Sequence, residues 1–519
     1  MHSHSHQSTG EHRAGMTTLF MTEMWERFSF YGMKALLVPF LMTAAIGYSE
    51  SAAKEILGGY VLWVYLAPLF AAVIADRFMN MRQSIYVGAI VMAVGHFAMA
   101  FDGLIFVGMA LIVAGNGFFK PCATNMVGDL YPEKHPWRTS AYSVFYFGIN
   151  LGATLSPFVC GLLRDHYGFH YGFAAAGIGM LVGLLTFAAF EPKLGIAGLR
   201  PEEKRGESGE IRMAAGGWRK VALASAGTVV LVGGAILLIP DLLNAVWTPT
   251  WLFGETISDT VKFLVRMALV AVLLWVYVKA APKEANPRPL TEVDRDRIKV
   301  IMAVSFAMFF LVIALEQSGG SLNLFAKNFT SETLFGVRIP YEFYQAVNPI
   351  WVMTLALSGA WFWGKVESKG VTDLHKLGPG LILVAVVFLL IQGAQSAAGI
   401  SGVHDPAAAG VGTRVSPVWL IAIYFFIAAA EVCISVTGLS AVNKLAPAHM
   451  KAFFTAVFFM SIAVGGYLAG TIDGILKELN LPPWWTLAAV CIALGLVYMA
   501  TAGRMIKLAH GALDTAKRQ

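Results

Sequence analysis

The sequence predicts an all-α polytopic membrane protein with fourteen spans, arranged as two sets of six around an inserted pair. Three observations predict this class: the composition, the recurring apolar runs and the distribution of basic residues. Of the 519 residues, 57% are hydrophobic and only 13% are charged, whereas roughly a quarter of the residues of a soluble domain are charged. A large soluble protein would also need amphipathic helices rather than helices that are apolar all round.

The apolar runs define the spans in chain order, and their length of about twenty residues matches a bilayer core of roughly 30 Å. They lie at residues 16–44, 55–76, 82–101, 104–127, 138–164, 169–190, 218–242, 259–281, 297–320, 339–365, 375–397, 415–443, 451–475 and 483–507. The chain also contains 52 glycines, which suits the close approach of helices in lipid.

The basic residues predict the orientation of the spans. If the N-terminus is cytoplasmic, 27 of the 38 lysines and arginines lie in cytoplasmic tails and loops, 7 lie in outer loops, and the rest lie within spans. This asymmetry follows the positive-inside rule. We therefore expect a multi-pass protein of the cell inner membrane with both termini cytoplasmic, and we attribute the net charge of +6 to topology rather than to nucleic-acid binding.

The most polar linkers predict the domain organisation, because they flank spans seven and eight and leave six spans on each side. The predicted parts are a cytoplasmic tail (1–15), an N-terminal six-helix bundle (16–191), linkers with an inserted transmembrane hairpin (192–296), a C-terminal six-helix bundle (297–507) and a second cytoplasmic tail (508–519). Two related halves would place a solute site between them near the midplane. A channel or a membrane enzyme could also have fourteen spans, so topology does not decide the function.

Ionisable residues within spans are the strongest functional signal, because each costs about 2.5–3.5 kcal/mol at a helix centre. Span one contains Glu23, Glu26, Arg27, Tyr31 and Lys34. Their spacing places them along one stripe of a helix. Glu23 and Arg27 lie one turn apart and can pair, either as a structural ion pair or as part of a functional site.

Three further spans each contain one isolated charge: Lys120 in span four, Glu316 in span nine and Glu431 in span twelve. No charged residue lies nearby in sequence, which favours a functional role over a structural ion pair. With the charges of span one, these residues give three cations and four carboxylates. We expect the surplus carboxylate to take the driving proton, and Glu316 is the first choice because Arg27 is available to the glutamates of span one.

Neutral polar residues and aromatic residues within spans indicate a cavity. Asn150 in span five and Asn348 in span ten must face protein or water, because an unpaired amide in lipid is costly. Tyr65 and Phe458 could form aromatic walls, although for each of them taken alone ordinary helix packing is the favoured explanation. Arg266 lies near the outer end of the inserted hairpin and is predicted to snorkel to the membrane surface.

Other sequence features predict structure rather than chemistry. The four cysteines fall in apolar runs without metal-ligand spacing, so we expect packing thiols and no metal site. Residues 466–470 (GYLAG) have small-residue spacing, for which we favour an internal helix contact over a dimer interface. No nucleotide-binding loop, zinc-helix motif or nucleophile–base set is present in the sequence.

Two long motifs carry a family resemblance. Residues 23–32 (EMWERFSFYG) are similar to the ExxERFxYYG signature of the proton-dependent oligopeptide transporter family, within the major facilitator superfamily. Residues 145–152 (FYFGINLG) are similar to its FYxxINLG signature. Shorter segments also match in order: 117–121 (GFFKP), 316–317 (EQ), 348–349 (NP), 438–440 (GLS) and 444–447 (KLAP). The resemblance extends from about residue 16 to residue 507.

The resemblance implies a fold and an activity. The fold would be the major facilitator fold, in which the bacterial branch carries two extra helices, here at 218–242 and 259–281. The activity would be proton-coupled import of di- and tripeptides by alternating access, without enzyme chemistry and without a cofactor other than the coupling proton. The partners would be peptides, protons and the lipid bilayer, and we expect a monomer.

The resemblance also implies residue roles. The proton-coupling set would be Glu23, Glu26, Arg27, Lys120, Glu316 and Glu431, with Lys120 pairing with Glu431 during the cycle. The peptide carboxylate would meet Arg27, Lys34 and Lys120. The amino group of the peptide would meet Glu431, Asn150 and Asn348. Its side chains would meet Tyr31, Tyr65 and Phe458.

Several positions depart from the family pattern and bear on substrate selectivity. Phe30 replaces a tyrosine, Lys34 replaces an arginine, and Phe458 replaces a common tryptophan. Cys122 and Val436 are the residues that differ in segments that otherwise match the family. The main alternative is the same fold carrying nitrate or another small metabolite. Retention of Glu431 favours a substrate with an amino group. A membrane enzyme or a receptor is the distant alternative.

Overall fold

The computed structural model describes residues 9–132, 135–199, 215–234, 258–280, 289–334, 336–367, 372–400, 413–447 and 450–513. The helices are α1 (Thr9–Leu41), α2 (Glu50–Phe78), α3 (Met81–Ala98), α4 (Ile105–Leu130), α5 (Arg138–Tyr167), α6 (Phe169–Phe190), α7 (Ala215–Thr228), α8 (Asp259–Ala280), α9 (Glu292–Glu316), α10 (Ser321–Phe329), α11 (Tyr344–Glu367), α12 (Leu377–Ala397), α13 (Val418–Leu445), α14 (Lys451–Glu478) and α15 (Pro483–Leu508). A π-helical turn, Val229–Gly233, continues α7. Two short strands, β1 (Thr333–Leu334) and β2 (Val337–Arg338), pair in antiparallel register.

Every predicted span coincides with a helix, although residues 235–242 of the seventh span lie outside the described residues. Within the described part of the chain, eight helical segments are long and apolar enough to cross a membrane by length and composition. The predicted all-α membrane fold class is therefore confirmed.

The segment between α9 and α11 differs from the sequence prediction. Helix α9 ends at Glu316, four residues before the predicted boundary, and the chain then forms the separate helix α10 and a β-hairpin. The glycine pair 319–320 explains the break, because glycine weakens a helix interior. Parallel pairing of Thr330 with Val415 attaches this segment to the residues that precede α13.

The helices form two compact units, Met1–Phe40 with Leu66–Asn244 (unit 1) and Leu41–Tyr65 with Ala245–Gln519 (unit 2). Unit 2 thus includes the first half of α2, which the sequence prediction assigns to the N-terminal bundle. The predicted boundaries at residues 191 and 296 stay a prediction.

In unit 1, α3 packs against α4, α6 and α7. A Cβ atom on Gly88 would lie 2.6 Å from the carbonyl oxygen of Gly115, and one on Gly95 would lie 2.8 Å from that of Gly108. Only glycine permits this approach of two helix backbones. Gly88, Gly95, Gly108 and Gly115 therefore serve helix packing.

In unit 2, α9 packs against α13 and α14, α12 packs against α13 and α15, and α8 packs against α14. The first half of α2 lies against α14, where a Cβ on Gly58 would be 2.7 Å from the carbonyl oxygen of Tyr467. Gly470 likewise abuts the backbone of Lys54, and Gly466 abuts Val61. Residues 466–470 therefore form an internal helix contact, as predicted.

Candidate functional site

The charged residues of α1 form a buried cluster in unit 1. Arg27 makes a two-pronged contact with Glu26, through its Nε to one oxygen and through its second terminal nitrogen to Oε1 at 2.6 Å. Its Nε lies 3.4 Å from Oε1 of Glu23. The other Glu23 oxygen is buried without a hydrogen-bond partner among the described residues. Arg27 therefore holds two carboxylates: the contact with Glu23 is the one that the spacing predicts, and the closer contact with the adjacent Glu26 was not predicted.

Helix α5 fixes this part of α1 through the two glycines of the 145–152 motif. Gly148 faces Phe20, whose ring would be 2.8 Å from an added Cβ. Gly152 abuts the carbonyl oxygen of Met24, and an added Cβ there would lie 3.1 Å from Cβ of Arg27. Larger residues would push α5 away from the arginine. The motif at residues 145–152 on α5 thus positions the motif at residues 23–32 on α1.

The remaining predicted residues of unit 1 lie on α1, α4 and α5. Lys34 is buried, with its ammonium 5.9 Å from the centroid of Tyr31. Lys120 is half-buried on α4 and lies close enough to Glu23 to act on its charge. Asn150 uses its amide NH2 to donate to the Tyr146 carbonyl at 2.9 Å.

In unit 2, Glu431 and Asn348 come together. Asn348 on α11 donates from Nδ2 to Oε2 of Glu431 on α13 at 3.3 Å. The amide oxygen of Asn348 has no hydrogen-bond partner within the described part of the chain. The pairing of Lys120 with Glu431 remains a prediction, since the two residues belong to different units.

The two predicted aromatic residues of unit 2 differ in exposure. Tyr65 is half-buried, whereas Phe458 is only 2% exposed. The Phe458 ring covers Gly438, where an added Cβ would lie 2.7 Å from the ring. Phe458 therefore contributes to helix packing, and its role toward substrate stays a prediction.

Glu316, the last residue of α9, is buried. It borders a small cavity of about 10 Å³ together with Lys54, Gly58, Gly466 and Gly470. That volume holds about one water molecule. The cavity places the predicted proton-accepting carboxylate beside a lysine that the sequence prediction assigns to an outer loop.

The sequence prediction for Arg266 is wrong. Instead of snorkelling, Arg266 is 5% exposed, 3.3 Å from Oε1 of Glu55 on α2, and 4.5 Å from the ring centroid of Tyr467. Lys262, one turn earlier, lies 3.7 Å from the other Glu55 oxygen. Because carboxylate and ring lie on other helices, the sequence could not show that this arginine has buried partners.

Lys54 and Asp473 form a second buried pair that the sequence prediction missed. Lys54 Nζ lies 2.7 Å from Asp473 Oδ2 and 3.8 Å from Glu50 Oε1. The predicted start of span two at residue 55 left Lys54 in a loop, but α2 begins at Glu50. Asp473, a lone acid in an apolar run, was the available signal. The predicted surplus of one carboxylate in the core stays a prediction.

The cysteines are buried free thiols, as predicted. Within the described residues, no group of three or more His, Cys, Asp or Glu side chains is arranged to hold a metal ion.

Comparison with known proteins decides the family. The model of the POT family matches residues 82–193 and 242–483. The chain belongs to the POT family. The predicted family and the bacterial branch are thereby confirmed.

Curated relatives of the POT family match over most of their length. The chain is 30% identical to the peptide transporter YePEPT of Yersinia enterocolitica, over 92% of this chain and 91% of that one. It is 29% identical to the uncharacterised transporter YclF of Bacillus subtilis, over 93% of this chain and 92% of that one.

Solved POT structures share the fold. A crystal structure of a peptide transporter POT in complex with sulfate has a TM-score of 0.73 and 30% identity, and the match covers 95% of each chain. A POT family transporter in complex with 5-aminolevulinic acid has a TM-score of 0.75 and 26% identity, covering 95% of this chain and 96% of that one. The chain is therefore a membrane transporter of major facilitator type.

Proposed function

We propose that this protein imports di- and tripeptides together with protons across the inner membrane by alternating access, as a monomer with both termini cytoplasmic. The observation that carries the proposal is the burial of the charged residues of the POT motifs on well-packed helices. Arg27 is held by two carboxylates, and Glu316 is buried beside a cavity of about one water molecule. Buried intramembrane charges are costly and mark substrate or proton pathways.

Peptide binding would use opposite charges for the two ends of a zwitterion. Arg27, Lys34 and Lys120 would attract the carboxylate, and Glu431 would attract the amino group. Asn348 supports the second role, because it donates a hydrogen bond to one oxygen of Glu431 at 3.3 Å. Asn150, Tyr31, Tyr65 and Phe458 complete the proposed substrate-binding set. Contacts to the peptide ends tolerate many side chains.

Proton coupling would use Glu316 with the α1 cluster, Lys120 and Glu431. Each proton entering the cell gains about 2.3 kcal/mol per 100 mV of membrane potential. One proton per neutral peptide would therefore support accumulation on the order of tens-fold, since about 1.4 kcal/mol corresponds to a factor of ten.

The test is uptake of labelled dialanine into proteoliposomes that contain the purified protein, with and without an inward proton gradient. We expect gradient-dependent accumulation that other dipeptides compete and that nitrate and free alanine do not. Glu316→Gln should abolish accumulation while dialanine exchange without a gradient persists. Glu292→Gln, on the same helix but exposed, is the matched control and should behave as the wild type. Full accumulation by the Glu316→Gln variant would refute the assignment of the proton to Glu316.

A second cargo is favoured by one observation, the similarity to a transporter in complex with 5-aminolevulinic acid. That molecule has an amino group and a carboxylate, as a dipeptide has, so the same charged residues could bind both its ends. Competition of dialanine uptake by 5-aminolevulinic acid would indicate a shared site. Competition by nitrate would instead favour an anion carrier.

A further inference from the structure

Helix α8 is attached to the rest of unit 2 along one stripe of its surface. Phe263, Arg266 and Val270 lie on this stripe, and the last two are buried. The opposite side carries exposed apolar residues: Val261, Leu264, Leu269 and Val272. Because lipid tails are as apolar as these side chains, burial of apolar surface does not drive α8 onto its neighbours. Specific polar and aromatic contacts therefore carry much of the attachment.

Arg266 joins α8 to two further helices at once. Its guanidinium lies 3.3 Å from Oε1 of Glu55 on α2 and 4.5 Å from the ring centroid of Tyr467 on α14. Phe263, one turn earlier, stacks on the same tyrosine, with ring centroids 6.2 Å apart and ring planes 3° apart. A guanidinium both pairs with carboxylates and stacks on aromatic faces. Arg266 therefore lies where α2, α8 and α14 meet.

The start of α8 is fixed to the end of α14. Oε2 of Glu478 accepts two hydrogen bonds from Thr260, at 3.2 Å from the backbone nitrogen and at 2.8 Å from the hydroxyl. A carboxylate at a helix start satisfies a backbone NH group and interacts favourably with the helix dipole. Thr260 and Arg266 thus attach α8 to α14 at two points, and Arg266 extends the attachment to α2.

The part of α2 that Arg266 contacts is a part that alternating access has to move. The first half of α2, up to Tyr65, belongs to unit 2, and the helix continues from Leu66 into unit 1. Pro68 lies inside the helix just beyond this point, where proline removes a helical hydrogen bond and favours a bend. With the N-terminus cytoplasmic, as proposed, the first half of α2 is its outer half. Rocking of two related halves around a solute site then requires this half to part from α14 when the outer side opens.

We propose that α8 is a latch that keeps the outer half of α2 on α14, and that the contact of Arg266 with Glu55 breaks when the transporter opens outward. This inference rests on the proposed function, since alternating access supplies the two states. The latch stabilises the state in which α2 packs on α14. In the other state Glu55 leaves Arg266, while Tyr467 and Glu478 retain α8 on α14. A helix that merely filled space in the lipid would not alter the balance between the two states.

The test measures how readily a water-soluble reagent reaches the contact of α2 with α14. Ala469→Cys places a reporter thiol on α14, at a position that is 6% exposed and lies beside Leu57 and Gly58 of α2. A membrane-impermeant maleimide is added outside cells that express the full-length protein. Labelling over time is compared with that of the chain without the reporter, whose four cysteines are buried. The comparison needs no transported substrate.

Two variants weaken the latch at its two attachment points. Arg266→Met/Glu55→Gln removes both charges of the buried contact together, and Glu478→Ala removes the acceptor at the start of α8. Arg266→Lys retains a positive charge. The control Asp373→Asn/Lys376→Met removes an ion pair of 2.8 Å elsewhere in unit 2, in a turn that packs against α12, α13 and α15.

Labelling of the reporter should become about ten-fold faster in Arg266→Met/Glu55→Gln, a factor that corresponds to about 1.4 kcal/mol in a two-state equilibrium. Glu478→Ala should accelerate it about two- to three-fold, because an exposed hydrogen bond contributes less. Arg266→Lys should give an intermediate rate, and the control should keep the wild-type rate. If the buried double variant fails to fold, Glu478→Ala carries the test.

A wild-type labelling rate in both latch variants would overturn the inference, as would an equal acceleration in the control. The proposed function is judged separately, on the accumulation of labelled dialanine by the wild type. Vesicles that do not accumulate dialanine in a proton gradient would refute the proposed function, whereas the labelling rates would still report whether α8 holds α2 on α14.

Discussion

Two buried charge systems of this protein are built in different ways. In unit 1, Glu23, Glu26 and Arg27 lie within five residues of one helix, so their ion pairs form within that helix. In unit 2, Lys54 pairs with Asp473, 419 positions away along the chain. The comparison teaches that an ion pair within one helix forms together with that helix, whereas a pair between helices requires correct packing.

The two systems also depend on glycine differently. The α1 cluster forms its ion pairs within one helix, and the glycines of α5 contact the Phe20 ring and the Met24 carbonyl oxygen beside it. The pair in unit 2 needs α2 and α14 in backbone contact, at Gly58 and Gly470. In lipid, where apolar burial does not drive helices together, such small-residue contacts provide much of the helix association. The three predictions below test this difference.

The largest effect is expected for Arg27→Ala. Removal of this guanidinium leaves the carboxylates of Glu23 and Glu26 buried without their cation, and breaking one buried pair already costs about 3–5 kcal/mol. We expect loss of dialanine uptake and a marked drop in the melting temperature of the purified protein.

Arg27→Lys is the matched variant for this position. It keeps the charge but loses the two-pronged contact with Glu26, so we expect intermediate stability and reduced uptake. A melting temperature of the alanine variant equal to that of the wild type would show that the cluster does not depend on its arginine.

The next effect concerns the contact between α8 and α2. Arg266→Met and Glu55→Gln should each lower stability by a few kcal/mol, because the first removes the nearer of the two cations that contact Glu55 and the second removes the carboxylate that contacts buried Arg266. The double variant should be more stable than the sum of the single changes predicts. Melting temperatures of all four proteins measure this coupling.

Lys262→Met is the control for this comparison of the single and double variants of Glu55 and Arg266. Lys262 contacts the same carboxylate at 3.7 Å, farther than Arg266 does, and is more exposed, so its loss should cost less than the loss of Arg266. Strict additivity of the Glu55 and Arg266 changes would mean that the two residues do not interact.

The smallest effect is expected for Gly58→Ala. The new methyl group would lie 2.7 Å from the carbonyl oxygen of Tyr467, and such overpacking costs about 1–3 kcal/mol. Gly503→Ala, on α15 with no atom within 4 Å of the added Cβ, is the control and should be neutral or slightly stabilising. Equal melting temperatures of the two variants would argue against a tight contact of α2 with α14.

Sequence patterns predicted most of the fold and part of the site. Helix positions followed from apolar runs, because the thickness of the bilayer dictates their length. The contact of Arg27 with Glu23 followed from helical spacing. The separate helix α10 was missed, since its apolar residues continue the run of α9 and only the break at 319–320 divides them.

The sequence by itself determined the membrane class, the order of the helices and the α1 cluster, since each depends on residues close together in the chain. Only the tertiary structure decided that Arg266 is buried on Glu55, that Lys54 pairs with Asp473, and that Lys54 borders the Glu316 cavity. These contacts join separate helices. The physical reason is that helix spacing is a local property of the backbone, whereas the partner of a buried charge is selected by which helices pack together.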